Sequence, residues 1–390
     1  MAVKAALSCL RVLCIQSHVV HGYVGNKIAV FPLQVCLLLF IMYTGYAFVK
    51  GQVLDATSMK DLYLGLKANG LNNYTHVLTG YLGSSSSLEA VADIVSDLKK
   101  ENSNIKYCKY TYFGKIYSID CDPVLGDNGK LYVPPELVQI YQEKILPLSD
   151  VILPNQFEAE LICLSLCITL YYNRILSGIR ITDEKSALNC IKYLHKKYHI
   201  PTVIITSTNV TLSPVMYGYG SRLKNPMKNN NSSDLLNQTN GSVTNNTSKY
   251  DRVRFKIPHL DYHFIGTGDL FAALTLAHLE TKIENENGQQ VPKYSFKDAF
   301  QSVLSTIQTV LSKTLKISEG ESLMVQTLIL LFTNIFHCYS LIMFNVNRSF
   351  LFFSSKESLN LPKSARIELK IIQSLDDIRN PILGDYVEEM

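Results

Sequence analysis

The sequence predicts an α/β fold, a three-layer α/β/α sandwich with a mostly parallel central sheet. Short apolar runs typical of strands alternate with segments typical of helices, and repeated strand–helix–strand units build parallel sheets with helices on both faces. The run "TVIITS" at 202–207 is apolar almost throughout, as expected for a strand buried on both faces. A glycine-rich turn at 266–268 opens directly onto an apolar helix.

The predicted elements follow one another in a regular order. The first strand lies at 11–15, and the segment 86–100 is an amphipathic helix, because its apolar residues share one face and two lysines at its end complement the helix dipole. The other elements are the strand "THVLTGY" before this helix, a helix at 136–146, the strand "DVILP", a helix at 183–197 that leads through Pro201 into "TVIITS", and the helix after the glycine turn.

Composition restricts the function classes. With 390 residues, of which 47% are hydrophobic, the chain can bury a large core as one large domain or two smaller ones. The 37 basic and 33 acidic residues give a net charge of +4 without a polybasic block, so nucleic acid is a poor partner. The nine cysteines lack the paired spacing of a zinc site. We expect Cys163 and Cys167 to be buried thiols in a reducing compartment.

The loops that follow the predicted strands are the candidate binding elements, because ligands bind at the carboxyl ends of the strands in such sheets. The first of these loops reads "QSHVVHGYVGN". Gly22 and Gly25 cost backbone entropy there, so we expect the loop to allow a close approach between the backbone and a bound molecule. The loops are 16–26, 79–84, 122–132, 153–158, 206–213 and 265–269.

The strongest chemical signal lies in "HFIGTGDLFAALTLAHLE", residues 263–280. Gly266 and Gly268 flank Thr267, and Asp269 follows at the start of the apolar helix. Unpaired backbone N–H groups at a helix start bind anions, and small side chains let phosphate oxygens reach them. Asp269 is placed there to accept a proton from an attacking hydroxyl group. The alternative is that Asp269 only complements the helix dipole.

Further carboxylates follow two other predicted strands. "DCDPVLGD" supplies Asp122 and Asp127, and "LPNQFEAE" supplies Asn155 and Glu158. Carboxylates on separate loops at one sheet edge can share a hard cation such as Mg²⁺. Phosphoryl transfer from ATP requires that cation, an anion site and one base. The alternatives are a turn residue for Asp127 and a first-turn helix acid for Glu158.

Composition shifts mark the limits of the predicted domain. Residues 1–10 are expected to form an irregular N-terminus, and 11–390 a single domain. Within it, the tract 224–249 is rich in Asn, Ser and Thr, so we expect a disordered surface loop. The segment 322–358 is an atypical apolar insertion.

Two apolar stretches, 28–48 and 323–346, have some membrane character. The first contains Pro32 and Gly45, and the second contains Gln326, Asn334 and His337, so neither is a clean span of roughly 20 apolar residues. We therefore expect no membrane attachment.

In this order, the segments "QSHVVHGYVGN", "TGYAFVKGQ", "VLTGY", "CDPVLGD", "PNQFEAE", "VIITS" and "GTGDLFAA" resemble those of pyridoxal kinases, which belong to the ribokinase superfamily. The resemblance extends from about Arg11 to the final "IQSLDDIRNP" and is interrupted by insertions. It implies a ribokinase-like fold. It also implies ATP-dependent phosphorylation of the 5′-hydroxyl of pyridoxal, and of pyridoxine and pyridoxamine, to give pyridoxal 5′-phosphate in vitamin B6 salvage.

The resemblance also implies roles for individual residues. Asp269 is the expected catalytic base, and the turn before it is the anion hole that stabilises the transferring phosphoryl group. The expected substrate-binding residues are Ser17, Thr44 and Tyr81. The residues expected to bind ATP are Asp122, Asn155, Glu158, Thr206, Ser207 and Tyr132, and those expected to bind the metal are Asp122, Asp127 and Glu158.

The same resemblance implies ATP with Mg²⁺ or Zn²⁺, a monovalent cation (K⁺ or Na⁺), a homodimer and a cytoplasmic location. Two alternatives stay open from the sequence. The first is an enzyme that phosphorylates a hydroxymethylpyrimidine, and the second is a catalytically impaired relative that binds vitamin B6.

Overall fold

The computed structural model describes residues 11–17, 23–36, 55–103, 118–163, 179–209, 215–224, 249–258, 260, 262, 264–286, 288–318 and 369–390. Several expectations fall outside these residues. They are the irregular residues 1–10, Gly22 of the first loop, the substrate residue Thr44, the expected buried thiol Cys167, almost all of the Asn-rich tract 224–249, and the insertion 322–358.

The described chain alternates strands with helices, as the apolar patterning predicts. Its strands are β1 (Val12–Ile15), β2 (His76–Thr79), β3 (Ser118–Cys121), β4 (Gly126–Asp127), β5 (Lys130–Leu131), β6 (Val151–Ile152), β7 (Thr202–Thr208), β8 (Val215–Leu223), β9 (Tyr250–Pro258), β10 (Lys282–Glu284), β11 (Gln290–Pro292) and β12 (Val387–Glu389). Its helices are α1 (Asn26–Cys36), α2 (Ala56–Ala68), α3 (Ser85–Ser103), α4 (Glu136–Ile140), α5 (Gln156–Cys163), α6 (Glu184–Tyr198), α7 (Thr267–Glu280), α8 (296–318) and α9 (Leu375–Arg379).

The central sheet is mostly parallel. Among the described residues it has eight strands in the order β1-β2-β3-β6-β7-β8-β9-β12. The first five are parallel to one another, and β8, β9 and β12 are antiparallel to their neighbours. All five parallel strands therefore end at the same edge of the sheet, where ligands bind in folds of this kind.

The two faces of the sheet are covered by separate helical layers. Because side chains alternate along a strand, Leu13 and Ile15 of β1 pack on one face with α2 to α6, whereas Val12 and Cys14 pack on the other with α1, α7 and α8. The structure is thus a three-layer α/β/α sandwich with a mostly parallel sheet, and the predicted fold class is confirmed.

The predicted strands and helices all occur, with small shifts in their ends. The one internal difference lies in the helix expected at 136–146. Its backbone widens into a π-helical stretch at Tyr141–Ile145 and then tightens into a 3₁₀ turn at Leu146–Leu148, where Pro147 lacks the N–H that an α-helix needs.

The antiparallel part of the sheet was not predicted from the sequence. Strand β8 reads "VMYGYGSRL", and glycines are depleted in strands. The structure explains them, because a Cβ atom on Gly218 would lie 2.0 Å from the ring of Phe255 on the paired strand. The glycines therefore allow a large aromatic side chain to pack across the two strands.

No helix in the described ranges is long and apolar enough to span a membrane.

Candidate active site

A cavity of about 840 Å³ opens at the carboxyl edge of the parallel strands. Thr44 lies outside the described residues, and every other predicted site residue lines this cavity: Ser17, Tyr81, Asp122, Asp127, Tyr132, Asn155, Glu158, Thr206, Ser207, Gly266, Thr267, Gly268 and Asp269. Residues from six separate loops therefore meet in one place, as expected for loops at a common sheet edge.

Backbone hydrogen bonds continue the parallel pairing past the strand ends and so align these loops. The N–H of Gly80 donates to Ile15 O (3.2 Å), and the N–H of Asp122 donates to Thr79 O (3.0 Å). One strand further along, the N–H of Leu153 donates to Cys121 O (3.0 Å). The loop residues are thus held by the sheet itself, which gives the cavity a rigid floor.

The glycine turn caps the start of α7. Gly266 has φ +87° and its carbonyl oxygen accepts the first helical hydrogen bond, from Leu270 N (3.0 Å). A Cβ atom there would lie 2.7 Å from the backbone oxygen of Tyr23, so only glycine fits. A Cβ atom on Gly268 would have Asp122 Oδ2 as its neighbour at 3.9 Å. The helix start, which attracts anions, therefore lies beside a carboxylate of the central sheet.

Asp269 is held by the first loop of the chain. Its Oδ2 accepts a hydrogen bond from the N–H of Gly25 (2.8 Å), and Gly25 has φ +55°. A Cβ atom on Gly25 would lie 2.2 Å from the backbone oxygen of Ser17. Within the chain, the close approach that Gly25 permits is therefore to Ser17.

The environment of Asp269 suits a base. Burial raises the pKa of its carboxyl group to about 6, and the hydrogen bond from Gly25 opposes that rise by stabilising the charged form. A carboxylate with this pKa is ionised at neutral pH and takes up a proton more readily than an ordinary aspartate.

Glu158 is buried and held by backbone donors. Its Oε1 accepts from Leu125 N (2.9 Å) and Gly126 N (3.3 Å), and its Oε2 accepts from Asn155 N (2.9 Å). Burial nevertheless raises the pKa of Glu158 to about 8. Asn155 Oδ1 also accepts a hydrogen bond from Glu158 N (3.0 Å), so the two residues together cap the start of α5.

Asp122 is the most electrostatically strained of the three predicted metal ligands. Burial, Glu158 and Asp269 all raise its pKa well above the ordinary value. Asp127 lies further out, on the β4–β5 hairpin, where it accepts a hydrogen bond from Asn128 N (2.7 Å). Within the described ranges, no three His, Cys, Asp or Glu side chains converge on one point. The three predicted ligands therefore do not form a ready-made cluster for an ion.

A break in strand pairing exposes the polar end of β7. The β7–β8 register shifts between Ile205 and Thr208, so that Thr206 and Ser207 leave the regular ladder. Beyond them, the side chain of Gln156 accepts a hydrogen bond from Asn209 N (2.8 Å). Tyr132 also lines the cavity and is 53% exposed.

An apolar wall closes the far end of the cavity, and the sequence analysis missed it. Helix α8 contributes Leu304, Ile307 and Leu311 from one face, and strands β8 and β9 contribute Met216 and Ile257. The spacing of the α8 residues in "FQSVLSTIQTVLSKTLK" is a helical signal that could have identified this wall.

One polar side chain interrupts this apolar wall. Gln308 of α8 is only 8% exposed, and its Nε2 has no hydrogen-bond partner among the described residues. A buried amide without a partner costs free energy, which a bound molecule carrying an acceptor would recover.

Comparisons with known proteins identify the family. No model of a protein family matches the sequence. The chain is 38% identical to human pyridoxal kinase over 329 residues, which cover 80% of this chain and 88% of that protein. It is 35% identical to the pyridoxal kinase of Sus scrofa over 383 residues, covering 95% of this chain and 92% of that protein.

The fold comparison agrees with this relationship. A solved structure of pyridoxal kinase from Leishmania donovani in complex with ADP and pyridoxamine superposes with a TM-score of 0.65 at 24% identity, covering 97% of this chain and 99% of that one. With this shared ribokinase-like fold, and with relatives more than 30% identical over most of its length, the chain belongs to the pyridoxal kinase family.

Proposed function

We propose that this enzyme transfers the γ-phosphoryl group of ATP to the 5′-hydroxyl of pyridoxal, and of pyridoxine and pyridoxamine, to give pyridoxal 5′-phosphate in vitamin B6 salvage. The observation that carries the proposal is the position of Asp269 and the Gly266–Gly268 turn in one cavity with the residues expected to bind each substrate. The 38% identity to a pyridoxal kinase supports the choice of substrate class.

The order of strands in the sheet separates two substrate-binding ends. Ser17 and Tyr81 follow β1 and β2, whereas Thr206 and Ser207 belong to β7 on the other side of β3 and β6. We assign the first end to the vitamin ring, and the family resemblance assigns Thr44 to the same ring. The second end, bounded by the apolar wall of β8, β9 and α8, is assigned to the nucleotide, whose base is planar and largely apolar.

Between these ends the chain supplies a base and an anion site. Asp269 accepts the proton of the 5′-hydroxyl as that oxygen forms a bond to the γ-phosphorus and the bond from phosphorus to the departing ADP oxygen breaks. The N–H groups of the turn Gly266, Thr267 and Gly268 donate to the oxygens of the phosphoryl group in transfer. Gly25 keeps the Asp269 carboxylate in place through its N–H.

The carboxylates beside this turn fit a hard divalent cation. The side chain of Asp122 accepts no hydrogen bond from the described residues, and burial together with repulsion from Glu158 and Asp269 raises its pKa. A bound Mg²⁺ would neutralise the negative charge that builds up on the phosphates of ATP. We propose that Asp122 binds the ion, that Glu158 and Asp127 approach it through water, and that the oxygen-only donor set favours Mg²⁺ over Zn²⁺.

The remaining assignments rest on the family resemblance. Asn155 and Glu158 serve ATP and its metal, Thr206 and Ser207 lie near the nucleotide, and Tyr132 belongs to the segment that covers the site. A K⁺ or Na⁺ ion assists, and the enzyme is a cytoplasmic homodimer whose residues 11–390 form one domain. Sedimentation of the purified protein tests the dimer.

The proposed activity is tested by measuring pyridoxal 5′-phosphate formation by the purified enzyme with ATP and Mg²⁺. Pyridoxal, pyridoxine and pyridoxamine are each expected to be phosphorylated. A hydroxymethylpyrimidine added in excess is expected to compete weakly. If the pyrimidine is phosphorylated with the higher kcat/KM, the substrate assignment is wrong. If pyridoxal binds without ATP turnover, the chain is the catalytically impaired relative.

A further inference from the structure

Two cysteines on neighbouring helices have their sulfur atoms in contact. The Sγ atoms of Cys163, at the end of α5, and Cys190, in the middle of α6, lie 3.2 Å apart, and both side chains are buried. Cys190 Sγ also lies 3.9 Å from the carbonyl oxygen of Ala159 on α5. The expectation that Cys163 is a buried thiol is confirmed, and the thiol next to it is Cys190.

We propose that Cys163 and Cys190 form a reversible intramolecular disulfide when the enzyme meets a low-molecular-weight disulfide such as oxidised glutathione. A disulfide bond is about 2.05 Å long, so the two sulfur atoms need to approach by only about 1 Å. Because the fold holds the two sulfur atoms in contact, the second cysteine attacks a mixed disulfide at the first with a high effective concentration, which favours the bond between these two over other pairings.

The exchange takes place in two balanced steps. The thiolate of one cysteine attacks the small disulfide, so that a mixed disulfide forms and one small thiol leaves. The thiolate of the second cysteine then attacks the protein sulfur of the mixed disulfide and releases the second small thiol. The two protein thiols lose two protons and two electrons in total, and the small disulfide takes up both.

Burial makes this reaction slow. The pKa of Cys163 is raised by its contact with Cys190 and by its removal from water, so little thiolate is present at neutral pH. The rate therefore rises with pH and depends on brief local opening of the α5–α6 contact. For the same reason, reduction of the bond in the folded protein is also slow.

The cross-link acts on a helix that belongs to the active site. Helix α5 begins at Gln156, and both Gln156 and Glu158 line the cavity. Fixing its last turn to α6 therefore restrains the cavity wall that holds Glu158, and it lowers the conformational freedom of the unfolded chain between residues 163 and 190.

The test uses full-length protein carrying Cys167→Ser, because Cys163 and Cys167 share the tryptic peptide 145–174. After incubation with oxidised glutathione and alkylation of the remaining thiols, we expect peptide 145–174 to be joined to peptide 186–192, with a loss of about 2 Da that dithiothreitol reverses. The midpoint of thermal unfolding is expected to rise by about 4 °C.

The control is Cys121→Ala in the same background, since Cys121 is also a fully buried free thiol. This variant is expected to keep both the cross-linked peptide and the thermal shift, whereas Cys190→Ala loses both. Complete alkylation of Cys163 and Cys190 after prolonged oxidation of the folded protein at pH 8.5, with no cross-linked peptide, would overturn the proposal. A Cys163 cross-link to a residue other than Cys190 would also do so.

Discussion

The backbone N–H of Gly25 donates a hydrogen bond to Oδ2 of Asp269 across 2.8 Å, although the two residues are 244 positions apart in the chain. Gly25 immediately precedes α1 and also contacts Ser17, whose carbonyl oxygen accepts from the N–H of Asn26. One glycine therefore connects the loop assigned to the vitamin substrate with the carboxylate assigned as the base.

Replacing Gly25 with alanine is expected to separate the loop that contains Ser17 from the Asp269 carboxylate. The new Cβ would lie 2.2 Å from the backbone of Ser17, and φ +55° is unfavourable for alanine, so the loop must shift away from Asp269. We expect kcat/KM to fall at least about 10²-fold, because small displacements of a catalytic group are costly. The pKa seen in the pH profile is expected to rise, since Gly25 lowers the pKa of Asp269.

Gly70→Ala is the matched control for this substitution. Gly70 has φ +66°, and a Cβ atom there would meet no atom of the described residues within 4 Å. The variant is expected to lose about 1 kcal/mol of stability from backbone strain alone, with unchanged kcat/KM and pH profile. Equal losses of kcat/KM in the two variants would contradict the proposed connection.

Activity is expected to depend on the ionisation of Asp269. The base acts only when it is deprotonated, and its pKa is about 6. The logarithm of kcat/KM for pyridoxal is therefore expected to rise with a slope of about 1 below pH 6 and to level off above it. Steady-state rates from pH 5 to 8 at saturating ATP and Mg²⁺ test this. A flat profile over that range would count against Asp269 as the base.

Stability without nucleotide is expected to fall as the pH rises. The pKa of Asp122 is raised in the folded state, so the folded protein holds a proton that the unfolded chain releases above pH 4. Asp122→Asn removes this charge and is expected to be more stable than the natural protein at pH 8, with the difference shrinking towards pH 4. The slope of its unfolding free energy against pH should differ from that of the natural protein by up to about 1.4 kcal/mol per pH unit.

Thermal unfolding of the two proteins across this pH range measures the effect. Asp61→Asn, on the exposed side of α2, is the control and is expected to leave the profile unchanged. An Asp122→Asn protein that is less stable than the natural one at pH 8 would contradict this prediction. It would show that other groups in the folded state stabilise the buried charge of Asp122.

Gln308 is expected to recognise the base of the nucleotide. Gln308→Leu keeps the apolar wall and removes the amide, so we expect KM for ATP to rise about 5- to 100-fold and the preference for ATP over GTP to narrow. Gln301→Leu is the matched change. Gln301 lies on the same helix, is 9% exposed and also has an Nε2 without a partner in the described part of the chain, but it does not line the cavity.

Steady-state kinetics with both nucleotides separates the two variants. Gln301→Leu removes the Oε1 that accepts from Val387 N (3.1 Å), so it is expected to lower stability and leave KM for ATP unchanged. Unchanged nucleotide kinetics in Gln308→Leu would remove Gln308 from the binding site.

The parallel half of the fold could be predicted because its signals are local. The strands before Gln16, Gly80 and Leu153 are short apolar runs, and helix α3, which follows the strand before Gly80, has clear amphipathic spacing. The loops at their carboxyl ends then meet by topology alone, so the residues assigned from single motifs could be placed in one cavity without knowledge of any contact.

The rest of the site depends on contacts between distant segments, which no local pattern records. The glycines of β8 obscure its strand character, although they are explained by the ring of Phe255. Gly25 looked like a residue that accommodates a ligand, and only its distance to Ser17 and Asp269 reveals its role. The contact between Cys163 and Cys190, whose Sγ atoms lie 3.2 Å apart, likewise joins distant segments and could not be predicted from the sequence.

The central claim is that Asp269 is the base for phosphoryl transfer to a vitamin B6 alcohol bound in this cavity. The most direct measurement is single-turnover formation of pyridoxal 5′-phosphate by the natural enzyme and by Asp269→Asn, with ATP affinity measured alongside. We expect the rate to fall about 10²- to 10⁴-fold in the variant while ATP binds with similar affinity. An Asp269→Asn enzyme that forms pyridoxal 5′-phosphate at the natural rate would contradict the claim.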